Sequence, residues 1–338
     1  MPIRQSKSGI SAKEFFNYMS KLSESIYDGG LVEEITRITG AELAVYSNKA
    51  RIVRLNQALD RYWQLASDAA PKGTFDDTNQ SAAPIETQNL AAGTNNYKLS
   101  SFTNQVLQIL KISILEDDGT TEVDLIREEF DDYNEFLIWY STVAADRGQP
   151  HTWTKYGDYI YIRPSPDYSE TNGLRAYVNR ELSKFVFTTF TVTIASPGVF
   201  SAAAHGLAAN DAVILETDGA LPAGLAADTI LYYVISTGLT AGAFQVSATI
   251  GGSAVNTSGT QSGNHKFTKA TKEPGIPVIH HDYLARYASL PFLIEKQLGQ
   301  TNAISQRIAL DEQSILDYWQ NRDRDLKTII RPKTRSYR

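Results

Sequence analysis

Residues 147–167 read Arg147-Gly148-Gln149-Pro150, then a polar run, then Tyr159-Ile160-Tyr161-Ile162-Arg163-Pro164-Ser165-Pro166-Asp167. Gly157-Asp158 precedes the apolar run and two prolines follow it, which predicts a short strand closed by a rigid turn. Ser165 lies between the prolines and lacks the G-x-S-x-G turn of a nucleophilic serine. The stretch is therefore predicted to be structural, with the rest of the chain organised around it.

Length and composition limit the class of protein. A chain of 338 residues is long for one hydrophobic core and sufficient for two domains. It has no cysteine, which excludes disulfides, thiolate nucleophiles and cysteine-ligated metals. No run approaches the ~20 apolar residues of a membrane span, so we expect a soluble protein made in the cytoplasm. The net charge of -6 argues against binding nucleic acid by bulk electrostatics.

Apolar residues at helical spacing predict three helices in the N-terminal part, over 11–26, 31–38 and 42–67. Ser11 and Glu14 form a capping box at the start of the first. The third also carries basic residues over much of its remaining surface. These residues, which form either a solvated face or a surface for a partner or channel, are Lys49, Arg51, Arg54 and Arg61.

Helical spacing returns near the C-terminus, where helices are predicted over 281–298 and 302–322. Pro291 lies inside the first of these, and an interior proline predicts a kink or a break into two helices. The residues after 322 lack regular apolar spacing and are rich in arginine and lysine. A basic, extended tail is therefore predicted.

The middle of the chain combines a polar stretch with predicted strands. Residues 69–96 predict a long loop, which we expect to act as an arm ordered against a neighbouring subunit. Strands are predicted over 106–114 and 121–126, joined by a hairpin turn, and again over 174–182. After the hairpin, an acidic segment precedes a predicted helix that contains Trp139. Acidic groups in the first turn of a helix interact favourably with the helix dipole.

The segment between Phe185 and His265 contains no Lys or Arg, while Gly, Ala, Thr and Ser become frequent. Five short apolar runs alternate with turns there. The runs are 187–194, 212–216, 230–235, 243–248 and 265–268. Five or six strands at this spacing predict a small antiparallel sandwich or barrel. The predicted domains are 186–270, an inserted β-sandwich or barrel-like domain, and 1–185 with 271–338.

Motifs for catalysis, cofactors or metals are missing. Neither a P-loop nor a G-x-G-x-x-G after a strand occurs, which argues against a nucleotide enzyme. His280-His281-Asp282 is better explained as a helix N-terminus than as a metal pair, because adjacent side chains on a helix do not face each other. His205 and His265 are predicted to be turn or surface residues. We therefore expect no enzymatic activity, no cofactor and no metal.

Four motifs occur in an order that resembles one known family. They are Leu55-Asn56-Gln57-Ala58-Leu59-Asp60-Arg61-Tyr62-Trp63, Gly148-Gln149-Pro150, the run from Ile160 to Asp167, and Gly275-Ile276-Pro277. In this order the chain resembles the head-to-tail connector proteins of tailed bacteriophages (portal adaptors or neck rings), here with an inserted phage-type β domain. The resemblance implies an α+β fold. This fold is a mainly helical adaptor core with a small β-sheet or hairpin, plus an inserted all-β sandwich-like domain.

The resemblance also implies a function. Such adaptors form a ring, a dodecamer, that joins the portal protein to the tail or the next neck protein, and double-stranded DNA passes through its channel without sequence-specific binding. The implied location is the neck region of the virion, with no membrane partner. In such adaptors the C-terminal segment reaches the portal. The basic residues expected to contact the portal are Arg322, Arg324, Lys327, Arg331, Lys333, Arg335 and Arg338.

Two other hypotheses stay open. In the first, the insert binds carbohydrate or a receptor as part of a tail component, through exposed Thr, Ser, Asn and Tyr232-Tyr233. In the second, the chain is a tail-tube or tail-terminator protein, which would be mostly β. The helical pattern at both ends argues against this second alternative.

Overall fold

The structure is a computed structural model that describes residues 21–23, 29–69, 84–129 and 147–322. Over these ranges the α-helices are α1 (Leu31–Thr39), α2 (Asn48–Ala69), α3 (His281–Glu295) and α4 (Thr301–Arg322). The first eight strands are β1 (Ile85–Leu90), β2 (Asn96–Lys98), β3 (Val106–Leu115), β4 (Glu122–Asp124), β5 (Ile126–Arg127), β6 (Thr152–Tyr156), β7 (Tyr159–Arg163) and β8 (Glu170–Arg180). The others are β9 (Thr188–Val192), β10 (Phe200–Ser201), β11 (Ala212–Thr217), β12 (Leu231–Ile235), β13 (Ala243–Ser247) and β14 (His265–Lys269).

The chain divides into two compact units, one of residues 1–73 with 184–338 and the other of residues 74–183. The predicted domain limits bracket the barrel alone, whereas the compact units group the barrel with the helices. Residues 21–23, at the end of the helix predicted over 11–26, are described and are not helical; Leu22 and Ser23 instead donate backbone hydrogen bonds to Lys272 and Ala270. The earlier residues of that predicted helix and the predicted helix around Trp139 lie outside the described residues.

Unit 74–183 consists of two four-stranded sheets that share one core. One sheet has the order β1-β8-β3-β4 and the other β2-β7-β6-β5. The core cluster draws side chains from both sheets, among them Ile112, Trp153 and Leu174. The predicted signature strand is β7, in which Ile160 and Ile162 alternate into this core, as the period of a strand requires.

The predicted hairpin between β3 and β4 is confirmed. Gly119 adopts a left-handed conformation (φ 65°), which glycine reaches without a steric penalty. Asp118 accepts hydrogen bonds from the N–H groups of Thr120 (2.8 Å) and Thr121 (2.7 Å). These bonds hold the turn and, with the hydroxyl of Thr121, lower the pKa of the Asp118 carboxyl well below its usual range.

The insert forms a closed six-stranded antiparallel barrel in the order β10-β13-β12-β11-β14-β9. All five predicted strand runs contain an observed strand, and β10 adds the sixth. Inward-facing side chains such as Phe190, Phe244 and Phe267 fill the interior. A second, smaller cluster lies on the opposite side of β11 and includes Ala212 and Ile214. The barrel thus has an apolar interior and a smaller apolar cluster on one outer face.

In the helical part, α3 packs against α1, α2 and α4. Glu33 accepts a hydrogen bond from the Gly30 N–H (2.9 Å) at the start of α1, and Gly40, in a left-handed conformation, ends that helix. Trp319 of α4 donates a hydrogen bond to the buried hydroxyl of Tyr62 on α2 (3.0 Å). The predicted helices over 31–38 and 302–322 match α1 and α4 closely. Residues 281–295 form one helix that contains Pro291.

The interpretation of the basic residues of α2 as one solvated or partner-facing set is wrong for Arg51. This side chain is 1% exposed. Its guanidinium donates to the Thr36 hydroxyl (2.7 Å) and the Ala41 carbonyl (2.8 Å), and it lies over the Tyr46 ring. Burial lowers the pKa of Arg51. Arg51 therefore joins α2 to the end of α1.

The prediction of a mainly helical core is also wrong, because the described part of the chain is mostly β, with three sheets and four α-helices. One strand, β1, lies within the stretch predicted as a loop and pairs with β8, and a second, β2, begins at its last residue and pairs with β7. β1 carries Glu86, Gln88 and Asn89, so its composition resembles that of a loop. Its strand conformation comes from pairing with β8, a distant segment, which local propensity cannot reveal.

Candidate functional site

The predicted portal-binding residues lie at and beyond the end of the described chain. Arg322 is the last residue of α4. The remaining predicted contacts lie outside the described residues; they are Arg324, Lys327, Arg331, Lys333, Arg335 and Arg338.

His280 and His281 are both buried. His281 donates from Nε2 to the Ile276 carbonyl oxygen (3.0 Å), while Nε2 of His280 has no partner among the described residues. The His280 ring packs between Tyr62 (5.7 Å between centroids) and Tyr318 (5.1 Å). Burial lowers the pKa of His280 to about 4. Within the described ranges no group of three or more His, Cys, Asp or Glu side chains could hold a metal ion.

A small cavity of about 170 Å³ lies beside His280, between the start of α3 and α4. Arg286 crosses it and bonds to Asp282 (2.9 Å) and Asp311 (2.6 Å). Arg307 also pairs with Asp311 (3.4 Å). The arginines and carboxylates of this cavity therefore bond to one another, and the Arg286–Asp311 pair connects α3 to α4.

The larger concave feature is an open groove of about 600 Å³ on the barrel. One side consists of β9 and the end of β10 with the two residues that follow it, and the other is the segment 261–264 that leads into β14. Its polar lining residues are Thr189, Thr191, Ser201, Gln261, Ser262, Asn264 and His265. Among the described residues no Asp, Glu, Lys or Arg lines this groove, so its chemistry is that of hydroxyls, amides and one imidazole.

The hydroxyl side of the groove follows from strand register. Phe190 points into the barrel, so Thr189 and Thr191 on either side of it point outward. Ser201 lies directly opposite Thr191 across the β9–β10 pair, which brings the two side chains about 5 Å apart. Among the described residues none of these three hydroxyls has a hydrogen-bond partner.

The other side of the groove is held in place by hydrogen bonds. Ser262 and Ala220 exchange two backbone hydrogen bonds of 2.9 Å. Asn264 donates from its backbone N–H and from Nδ2 to Asp218, and these bonds lower the pKa of the Asp218 carboxyl. Gln261 donates from Nε2 to the Val192 carbonyl (2.9 Å). The amide groups are therefore fixed before any ligand binds.

The barrel is tied to the helical part at the start of α2. Lys49 pairs with Glu216 of β11 (2.5 Å), and Asn48 donates to the Asp228 carbonyl (2.8 Å). Burial and the charge of Glu216 raise the pKa of the Asp228 carboxyl. Three buried oxygens here lack a partner in the described chain: Asn48 Oδ1, Glu216 Oε2 and Asp228 Oδ1.

Tyr232-Tyr233, predicted as exposed contacts for a saccharide, lie away from the groove. Tyr232 points into the barrel and is 2% exposed, and its hydroxyl accepts from the Ala226 N–H (2.8 Å). Tyr233 packs on the outer cluster of β11. The sequence reasoning named Thr and Ser only as a class and missed Thr189, Thr191 and Ser201. Only the strand pairing shows that these three form one surface.

No known family model matches the chain, and no curated protein matches it. Among the helices of the described residues, none is long and apolar enough to span a lipid bilayer.

Proposed function

We propose that this chain is a structural virion protein of the head-to-tail connector type, which assembles with further copies of itself into a ring between the portal vertex and the tail. The order of the four adaptor-like motifs supports the proposal. Two of these motifs have a structural role in the described residues: Ile160 and Ile162 fill a core, and the Ile276 carbonyl accepts a hydrogen bond from His281 at the start of α3. Motifs that build a scaffold are expected in a protein that works by assembly.

The observation that carries the proposal is a set of large apolar side chains left exposed on the helical part. Leu310 on α4 is 64% exposed, Ile279 before α3 is 63% exposed, and Val45 and Ile294 are also mostly exposed. Single exposed apolar residues are common on protein surfaces, but grouped ones mark interaction sites. Full burial of one such side chain at a subunit contact contributes about 1.5–3 kcal/mol.

Two of these side chains belong to one surface. Ile279 lines the small cavity together with Arg307 and Ser314 of α4, and Leu310 lies three residues after Arg307 and four before Ser314, on the same face of that helix. A second copy that covers this surface would bury both apolar side chains and leave the Arg286–Asp311 pair at the edge of the contact. We therefore place one subunit contact at Ile279 and Leu310.

Basic residues from Arg322 onward form the proposed contact with the portal. The portal surface they meet would be acidic. An exposed ion pair contributes only about 0–1 kcal/mol, so the strength of attachment comes from repetition around the ring. The channel enclosed by the ring would let double-stranded DNA pass without sequence-specific contacts.

Electron microscopy of the full-length protein, alone and mixed with the portal protein of the same phage, tests the proposal. We expect closed rings in views along the symmetry axis, bound to the portal in the mixture. The double variant Ile279→Asp, Leu310→Asp is expected to stay monomeric. Ile250→Asp changes an exposed apolar barrel residue and serves as the control, which should assemble as the wild type does. Monomers in the presence of portal would overturn the proposal.

The portal contact is tested separately with a variant in which the predicted basic residues are changed to glutamate. In a matched control each of these arginines becomes lysine and each lysine becomes arginine. We expect the glutamate variant to fold and form rings but to lose portal binding, because the attraction is reversed. The control keeps every charge and should bind. Undiminished portal binding by the glutamate variant would contradict this assignment. Rings that never bind portal would instead favour the tail-tube or tail-terminator hypothesis, which the mostly β content also allows.

A further inference from the structure

We infer that the barrel groove is a binding site for a neutral oligosaccharide. Its volume of about 600 Å³ lies within the range of small-ligand sites, about 300–1,000 Å³. This inference concerns a single chain, so it does not depend on ring assembly.

The charge of the lining selects the ligand class. None of the lining residues in the described part of the chain is Asp, Glu, Lys or Arg, and no Lys or Arg occurs anywhere between Phe185 and His265. A phosphate, a nucleic acid or an acidic glycan is normally held by cationic side chains. The nearby carboxylate of Asp218 already accepts two hydrogen bonds from Asn264. The groove therefore suits an uncharged polar ligand.

The hydrogen-bonding groups suit a ligand with several hydroxyls. Thr189, Thr191 and Ser201 each present a hydroxyl that can donate and accept, and none of the three is used within the described chain. Across the groove, the side-chain amides of Gln261 and Asn264 are oriented by one hydrogen bond each, from Nε2 to Val192 and from Nδ2 to Asp218. The side-chain oxygens of these two amides therefore remain as fixed acceptors.

The closed barrel disfavours an extended peptide as the occupant. A peptide that adds a strand needs an exposed sheet edge, and closure removes edges. A peptide held by side chains alone would need apolar pockets, but Phe190 is 5% exposed and its ring packs against Phe200 (5.0 Å). Contact through hydroxyls is what this surface offers.

The same burial of Phe190 predicts weak binding. Many saccharide sites stack a sugar ring on an exposed aromatic face, and this groove has none among its described lining residues. With hydrogen bonds alone, exchanged against water, we expect a dissociation constant of about 1 mM. A site of this strength needs a method that detects weak and fast exchange.

Saturation-transfer difference NMR on the full-length protein provides this test, with maltohexaose and the hexamer of N-acetylglucosamine as neutral probes and a heparin hexasaccharide as the anionic probe. We expect saturation transfer to at least one neutral probe and none to the heparin fragment. The triple variant Thr189→Val, Thr191→Val, Ser201→Ala removes the hydroxyls with little change of shape. It should bind about tenfold or more weakly.

Thr237→Val with Ser253→Ala is the matched control, because both side chains are exposed outside the groove. It should bind as the wild type does. Should the triple variant fail to fold by circular dichroism, Ser201→Ala alone, at the end of a two-residue strand, is expected to weaken binding severalfold. Absence of transfer to both neutral probes, or equal transfer to wild type and hydroxyl-deleted protein, would overturn the inference. So would a preference for the heparin fragment.

Discussion

Asn56 on α2 forms two hydrogen bonds with the backbone of one residue, Phe185, just before the barrel begins. Its Nδ2 donates to the Phe185 carbonyl (2.9 Å), and its Oδ1 accepts from the Phe185 N–H (2.9 Å). Phe185 is 2% exposed. Asn56→Ala would therefore leave two buried backbone groups unpaired at the point where the chain enters the barrel.

The cost of this change can be worked from the two bonds. Each contributes about 1 kcal/mol net, and more when the abandoned group stays away from water. A loss of about 2 kcal/mol or more is expected. Residues 1–73 and 184–338 form one compact unit, and for a unit of this size each kcal/mol shifts Tm by about 2–4 °C. The Tm of Asn56→Ala should fall by roughly 4–8 °C.

Differential scanning calorimetry measures the fall in Tm, and hydrogen exchange with mass spectrometry measures the local effect. The peptide that contains Phe185 should exchange faster in Asn56→Ala. Gln57→Ala is the control, because Gln57 is exposed and, within the described ranges, its side chain bonds only to Arg54 on the same helix. It should stay within about 0.5 kcal/mol of the wild type. An unchanged Tm together with unchanged exchange at Phe185 would refute the reasoning.

Three further predictions concern buried or crowded positions. The pKa of Asp228 is raised in the folded chain, which favours the protonated carboxyl, so stability falls as pH rises above the pKa of this group in the unfolded chain. Asp228→Asn should therefore raise Tm near pH 7 and flatten the pH dependence of Tm. A lower Tm would contradict this. His280, with its pKa lowered to about 4, contributes stability above its ordinary value of 6.5 that is lost as pH falls towards 4. His280→Phe should weaken that loss in acid titrations followed by fluorescence, and an unaltered acid limb would count against it. In Gly219→Ala the new Cβ would collide with the Ser262 backbone, so the barrel should unfold at a lower urea concentration. Gly242→Ala, with open space around the new Cβ, should leave the urea midpoint unchanged. Equal midpoints for the two variants would disprove the collision.

The insert was the part of the chain most open to prediction. Its five apolar runs alternate with Gly-rich turns, and each contains a strand of the barrel. The apolar run bounded by Gly157-Asp158 and two prolines also predicted strand β7, in which Ile160 and Ile162 are buried. These elements carry their signal locally, because the same side chains that make the pattern are the ones that become buried.

The polar stretch before β3 was not predictable in the same way. β1 is a strand only because β8 supplies its hydrogen-bond partners, and its mixed polar sequence is compatible with a loop. The error in fold class follows in part from this, since a small β-sheet or hairpin was expected where the structure has two four-stranded sheets. The prediction that Arg51 lies on the surface was wrong for a related reason, because its hydrogen-bond partners, Thr36 and Ala41, belong to a neighbouring helix and to the residues after it.

The candidate site shows the same difference between what local sequence predicts and what strand pairing decides. The sequence by itself determined the shortage of cationic side chains in the barrel, because the run from Phe185 to His265 without Lys or Arg is a property of composition. The tertiary structure alone decided which hydroxyls act together, because the β9–β10 register sets Ser201 beside Thr191, while Tyr232 turns inward. Composition is local and additive along a chain, whereas a surface is made by pairing between segments that are distant in sequence.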